Sequence, residues 1–357
     1  MTTKVTARVS GPAVRTRWMA FVALCLPLPA ACFAADCAPL KQATSVDLIS
    51  APNGVRLVPV TINGVPKNFV FGTAAGMSTL SQGTVAEFGL HPMSTERDVR
   101  LLARNGHASN LYVTVDSFSL GGVQGKHQSF MVSPDRQLGS NTAVPVAGVL
   151  ANDLMGQFDV EMDFVGGKLK YFLADHCTSK VVYWPATAIA VVPYSATKIG
   201  SNRPDSHLRI PVTLNGHTLD AIIDTGSPRS TLSAETAQDT FKVTADSPGA
   251  VPLGTVENDP NHKVFGYVFG SLAFEGVTIS KPRIVVYPDL FGSKDPSNSV
   301  RTGGHIKRVD DRPRAEVSIG MDVLRNLHLY VASREHKLYI TSGTSTASET
   351  PTASQSP

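Results

Sequence analysis

Residues 59–81 read PVTINGVPKNFVFGTAAGMSTLS, and residues 211–233 read PVTLNGHTLDAIIDTGSPRSTLS. At a constant offset of 152, ten of the 23 positions are identical and no gap is needed. Self-similarity of this kind marks one supersecondary unit present twice. Each copy opens as a strand, turns at Asn-Gly (Asn63-Gly64; Asn215-Gly216) and returns as a second strand. Asn and Gly both tolerate positive φ, which a tight hairpin demands. The second strand runs through a turn into a helix-like segment, 83–90 in the first copy and 234–239 in the second.

The copies also match at their far ends. VLANDLMGQFDVEMDFVGGKLKY (149–171) aligns with SIGMDVLRNLHLYVASREHKLYI (318–340) at an offset of 169. The second copy therefore carries about 17 additional residues, placed in the Gly/Asp/Ser/Pro-rich stretch 288–314, a surface loop by composition. Asp153 and Asp322 follow the small residue of this element and are expected to cap a short helix. Between the matched ends each copy has strands around a Gly turn, 118–123 and 272–277, followed by an apolar strand near 130–132 and 284–286. Two lobes of about 130 mainly β residues are expected: 36–177 and 204–341, joined by a linker at 178–203.

Residues 1–35 stand apart. Lys4, Arg8, Arg15 and Arg17 precede the apolar run 18–26, and Ala30, Ala31, Ala34 and Ala35 follow it. That is the layout of a secretory signal peptide. The run is broken by Pro27 and Pro29 and is too short to span a bilayer, and Pro29 also disfavours a lipoprotein anchor at Cys32. No later segment predicts a membrane span. Without the four leader cations the formal charge falls from +3 to about −1, which gives no support to a nucleic-acid partner. Residues 301–314 are locally basic, but Asp310 and Asp311 interrupt them. Cys37 and Cys177 remain outside the leader, and one pair in an oxidising compartment predicts one disulfide, with two free thiols as the alternative. No metal-ligand spacing occurs, so neither metal nor cofactor is expected. Residues 342–357 are nearly devoid of apolar side chains and are expected to be disordered.

Ile222-Ile223-Asp224-Thr225-Gly226-Ser227 resembles the apolar-apolar-Asp-Thr-Gly-Ser element of the pepsin- and retropepsin-like aspartic proteases, and Ser318-Ile319-Gly320 resembles the apolar-apolar-Gly element that packs behind it. The resemblance spans about residues 50–341. It implies a mainly β, two-lobed acid-protease barrel fold with pseudo-twofold symmetry, and a peptide or protein substrate bound in an interlobe cleft beneath flap hairpins near 100–112 and 254–268. It also implies a water polarised between two carboxylates that share one proton, one from each lobe. The hydroxyl after Gly226, that of Ser227, would bond the carboxylate, and the threonines would tie the loops together.

Only the second lobe has the full set. In register, Asp224 is matched by Gly72, Thr225 by Thr73, Gly226 by Ala74, Ser227 by Ala75 and Gly320 by Ala151. Residues 55–90 contain no Asp, and their one acid, Glu87, falls in the helix-like segment. Asp224 is the candidate catalytic residue, with Thr225, Gly226, Ser227, Thr73 and Gly320 in support. Arg229 reads as a solvated turn residue. Two functions follow: an exported, periplasmic or secreted aspartic peptidase whose second carboxylate comes from elsewhere, a homodimer being one source, or a pseudo-peptidase that binds extended peptides without cutting them.

Overall fold

The computed structural model of the chain describes residues 37–95, 101–102, 108–134, 144–154, 158–195, 198–199, 203–204, 207–256, 260–288, 299–302, 305–308 and 315–343. The expected leader, most of the expected tail and the centre of the first flap candidate fall outside them.

Both Asn-Gly turns form as read, with φ of 48° and 80° at Asn63 and Gly64, and 48° and 84° at Asn215 and Gly216. Those values suit the type I′ turn whose twist matches the flanking strands. In the first lobe the strands Arg56–Ile62, Val65–Phe71, Gly148–Leu150, Thr79–Leu80, Val123–Val132 and Leu111–Leu120 pair in that order. The last returns to the first through Thr61↔Ser119 and Ile62↔Phe118, which closes a six-stranded barrel. Closure removes the exposed edges an open sheet would present. Alternate residues Val58, Val60 and Ile62 point inward with Phe69, Phe118 and Phe130, whose rings lie 5.5–6.4 Å apart.

The second lobe repeats this order with Arg209–Leu214, His217–Ile223, Val317–Ile319, Thr231–Ser233, Arg283–Tyr287 and Lys263–Val268. Its long hairpin is broken in two, because Ser271–Phe274 and Val277–Ser280 form a separate pair that closes onto Leu214. The break lies at Phe269-Gly270 and Lys281-Pro282. Phe269 turns into the core against Phe241 and Tyr267, and Lys281 adopts a φ of 49°. Pro282 has no N–H to offer a ladder, so the strand bends there.

A size exchange keeps the two barrels equivalent. Phe69 faces Gly148 in the first lobe, where Ala221 faces Val317 in the second. A Cβ on Gly148 would lie 1.9 Å from the Thr79 carbonyl oxygen and 2.8 Å from the Phe69 ring.

The lobes share a six-stranded antiparallel sheet in the order Gln42–Asp47, Lys168–Leu173, Phe158–Asp163, Leu327–Ala332, Lys337–Ser342, Ala190–Pro193. Its central register, Val160↔Val331 and Met162↔Leu329, joins the terminal hairpin of one lobe to that of the other. Cys37 and Cys177 form the expected disulfide beside this sheet. The stretch 288–314, expected as loop, carries a short hairpin, Ser299–Thr302 with His305–Arg308. Among the described residues no helix is long and apolar enough to cross a membrane.

Candidate active site

The strand His217–Ile223 delivers Asp224 to the boundary between the lobes. It runs parallel to Val317–Ile319, and the Asp224 amide adds one more rung by donating to Ile319 O at 2.9 Å. The chain then turns, with Ser227 N donating to Asp224 O at 3.3 Å. Asp224 is only 8 % exposed. Its Oδ1 accepts the Gly226 N–H at 3.1 Å, and its Oδ2 accepts the Ser318 hydroxyl at 3.0 Å.

In the first lobe Gly72 makes the same backbone turn without the carboxylate. Gly72 N donates to Leu150 O at 2.9 Å, and Ala75 N donates to Gly72 O at 3.1 Å. The loops meet through their threonines in a reciprocal set. Thr73 Oγ1 donates to Ile223 O at 2.6 Å, and Thr225 Oγ1 donates to Phe71 O at 2.7 Å. Each hydroxyl also accepts the other's amide, at 3.1 and 3.2 Å, and both side chains are buried. A Cβ on Gly226 would lie 3.4 Å from both Asp224 Oδ1 and Gly72 Cα. Gly72 therefore stands across the interface from Asp224.

Behind each loop lies a second matched tier. Ser230 donates its N–H and its hydroxyl to Asp322 at 2.9 and 2.7 Å, and Ser78 does the same to Asp153 at 2.8 and 2.6 Å. Each serine oxygen accepts the next backbone amide, Gly320 N at 3.0 Å or Ala151 N at 2.9 Å. The two aspartates, expected as helix caps, lie inside their short helical turns instead, although Asp322 Oδ1 does accept the first-turn amide Val323 N at 3.1 Å. Gly320 is the cap residue of Met321–Leu324, and Asp322 lies inside the first turn with its carboxylate drawn back to Ser230. A Cβ on Gly320 would sit 2.4 Å from the Arg229 carbonyl carbon, so only glycine allows this approach. In the first lobe Ala151 occupies the matching place, fully buried.

Two further points separate the structure from the sequence reading. A hydroxyl has one proton, and Ser227 donates it to Arg229 O at 2.8 Å, so it is Ser318 that bonds the Asp224 carboxylate. His207, not singled out from sequence, sets its Nε2 3.1 Å from Ala74 O in the degenerate loop. Ser318 was legible as the polar member of an otherwise apolar element, opposite Val149 in the first lobe. His207 carried no such signal, since its first-lobe counterpart Val55 is an ordinary core residue. Arg229 is exposed. Of the flap candidates, 254–268 is represented by the antiparallel pair Val251–Thr255 and Lys263–Val268. The first is represented by the antiparallel pair Leu101–Leu102 and Ala108–Ser109, its centre lying outside the described residues.

A family model described as aspartyl protease matches residues 58–154 and 210–323, one match in each lobe. The chain belongs to the aspartyl protease family. The aspartyl protease matches bracket both threonine loops and both serine–aspartate tiers. Among solved structures, basic 7S globulin from soybean is similar at a TM-score of 0.43 and 12% identity, over 85% of this chain and 97% of that one. No curated protein shows a significant match to the chain.

Proposed function

We propose that this aspartyl protease family member is an exported protein that holds extended peptides in the cleft between its lobes, and that its own two lobes do not complete a hydrolytic site. The observation that carries this reading is Gly72, which faces Asp224 across the reciprocal Thr73–Thr225 contact. Cleavage by this route divides acid and base roles between two carboxylates sharing a proton. A single carboxylate leaves one role unfilled, and removing such a group costs on the order of 10²–10⁴ in rate. A second copy of the chain would have to deliver its carboxylate where the first lobe already sits, through threonines bonded to Ile223 and Phe71.

Peptide capture in such a cleft works by adding a strand, with main-chain hydrogen bonds giving affinity and side-chain pockets giving selectivity. The Cys37–Cys177 disulfide and the leader-like residues 1–35 support export, since disulfides persist in oxidising compartments.

A second reading, peptide hydrolysis, is favoured by the setting of Asp224, whose two oxygens keep the Gly226 amide and the Ser318 hydroxyl. Isothermal titration with a set of unstructured ten-residue peptides, followed by mass spectrometry of the recovered peptide, separates the two. The proposal expects binding with the peptide recovered intact. Absence of binding across the set, or a cleaved peptide, overturns it.

A further inference from the structure

The lobes differ at two touching positions beside the site. In the second, Ser318 Oγ donates to Asp224 Oδ2 at 3.0 Å. In the first, the counterparts are Gly72 and Val149, at the same offsets of 152 and 169 that relate the rest of the repeat. A Cβ added at Gly72 would lie 2.7 Å from Val149 Cγ1, nearer than carbon atoms approach without one of them moving. Branching at Cβ restricts the χ1 of a strand valine, so this methyl does not swing aside freely. In the first lobe, the place that matches the second lobe's carboxylate and hydroxyl donor is thus taken by a Val149 methyl group.

We infer that Ser318 is a positioning residue of the Asp224 carboxylate, and that the first lobe has no counterpart to either member of this pair, Gly72 and Val149 standing in their places. This rests on the reading of Asp224 as the centre of the site. A hydroxyl donating to an ionised carboxylate stabilises the charged form and fixes the rotamer. Gly226 N holds the other oxygen, so the two donors together set the direction in which the group faces the opposite loop. Ser227 is excluded from that role by its bond to Arg229 O.

The test is a double-mutant cycle on the peptide-free protein, read by the urea midpoint. Ser318→Ala and Asp224→Ala together should lower the midpoint clearly less than the sum of the two singles, Ser318→Thr should restore the wild-type midpoint, and Ser227→Ala should add independently to Asp224→Ala. A folded Ser318→Ala protein whose effect simply adds to that of Asp224→Ala overturns the assignment, as does a coupling of Ser227→Ala with Asp224→Ala that matches the one expected of Ser318→Ala. Because no peptide is present, failure of the peptide-binding reading leaves this result standing.

Discussion

At the scale of single residues, the groups that tie the lobes together are matched between the two halves, whereas the loop carboxylate is not, Asp224 standing opposite Gly72. Thr73 and Thr225 are kept as a pair because each supplies a donor and an acceptor to the other's loop, and all four partners are buried backbone groups or threonine hydroxyls. Leaving a buried polar group unsatisfied costs about 1–3 kcal/mol. Thr225→Val keeps the shape but strands Phe71 O and Thr73 N, so urea unfolding should report a loss of about 2 kcal/mol, and Thr73→Val the same. Thr73→Val strands a different pair, Ile223 O and Thr225 N, so the double variant should lose close to the sum of the two singles; a double variant no less stable than either single would contradict four separate bonds. Gly320→Ala forces a Cβ onto the Arg229 carbonyl and should cost at least the roughly 1–3 kcal/mol typical of overpacking, whereas Ala151→Gly, at the matched position, should cost no more than about 1 kcal/mol. The threonines, the glycine and the lost aspartate could be read from the aligned halves, because each change of residue type is a change of chemistry. The Ser318 bond could not, since two serines stood near the carboxylate and only the turn geometry decides which hydroxyl points at it.

At the scale of elements, period and turn chemistry carried most of the fold. The Asn-Gly hairpins form where residue type alone places them; of the helix-like segments, 83–90 becomes Gln82–Glu87, ending short of Leu90, and 234–239 becomes Ala234–Phe241, with Ser81 and Ser233 as their caps. The broken hairpin of the second lobe was not legible. It follows from Phe269 turning inward, which depends on Phe241 and Tyr267 being close in space. The exchange of Phe69/Gly148 for Ala221/Val317 was likewise hidden, because it conserves volume between two strands far apart in sequence. Gly148→Ala drives a Cβ against the Thr79 carbonyl oxygen and the Phe69 ring, and the cost should reach about 3 kcal/mol or more, read as a fall in the urea midpoint. A wild-type midpoint in that variant would show the barrel to be looser than described.

At the scale of the whole molecule, the shared sheet carries a buried charge network absent from any sequence motif. Glu161 accepts Lys170 Nζ at 2.7 Å, Tyr183 OH at 2.7 Å and His328 Nε2 at 3.1 Å, while Trp184 stacks on the His328 ring at 3.8 Å. Asp159 receives Ser333 N from the other lobe at 2.9 Å and pairs with His176 at 2.6 Å, next to the disulfide. Burial opposes charge on His176, but the Asp159 hydrogen bond and the Cys177 carbonyl outweigh it and hold its pKa above the ordinary 6.5. Burial likewise opposes charge on Glu161, yet its three donors, with His328 first, hold it below the ordinary 4.5. A raised histidine contributes stability in full below 6.5 and loses it as pH rises through the folded value. A depressed carboxylate contributes above 4.5 and loses its share as pH falls through its own folded value. The thermal midpoint should therefore be highest between about pH 4.5 and 6.5 and decline on either side, and His176→Asn should flatten the decline above 6.5. A midpoint still rising from pH 6 to 8 would contradict this account. The central claim, that one carboxylate faces a dismantled half-site, is tested most directly by incubating wild-type protein and Asp224→Asn with an unfolded protein substrate from pH 3 to 6 and measuring new amino termini. No Asp224-dependent cleavage is predicted at any pH; cleavage by the wild type that disappears in Asp224→Asn would contradict it.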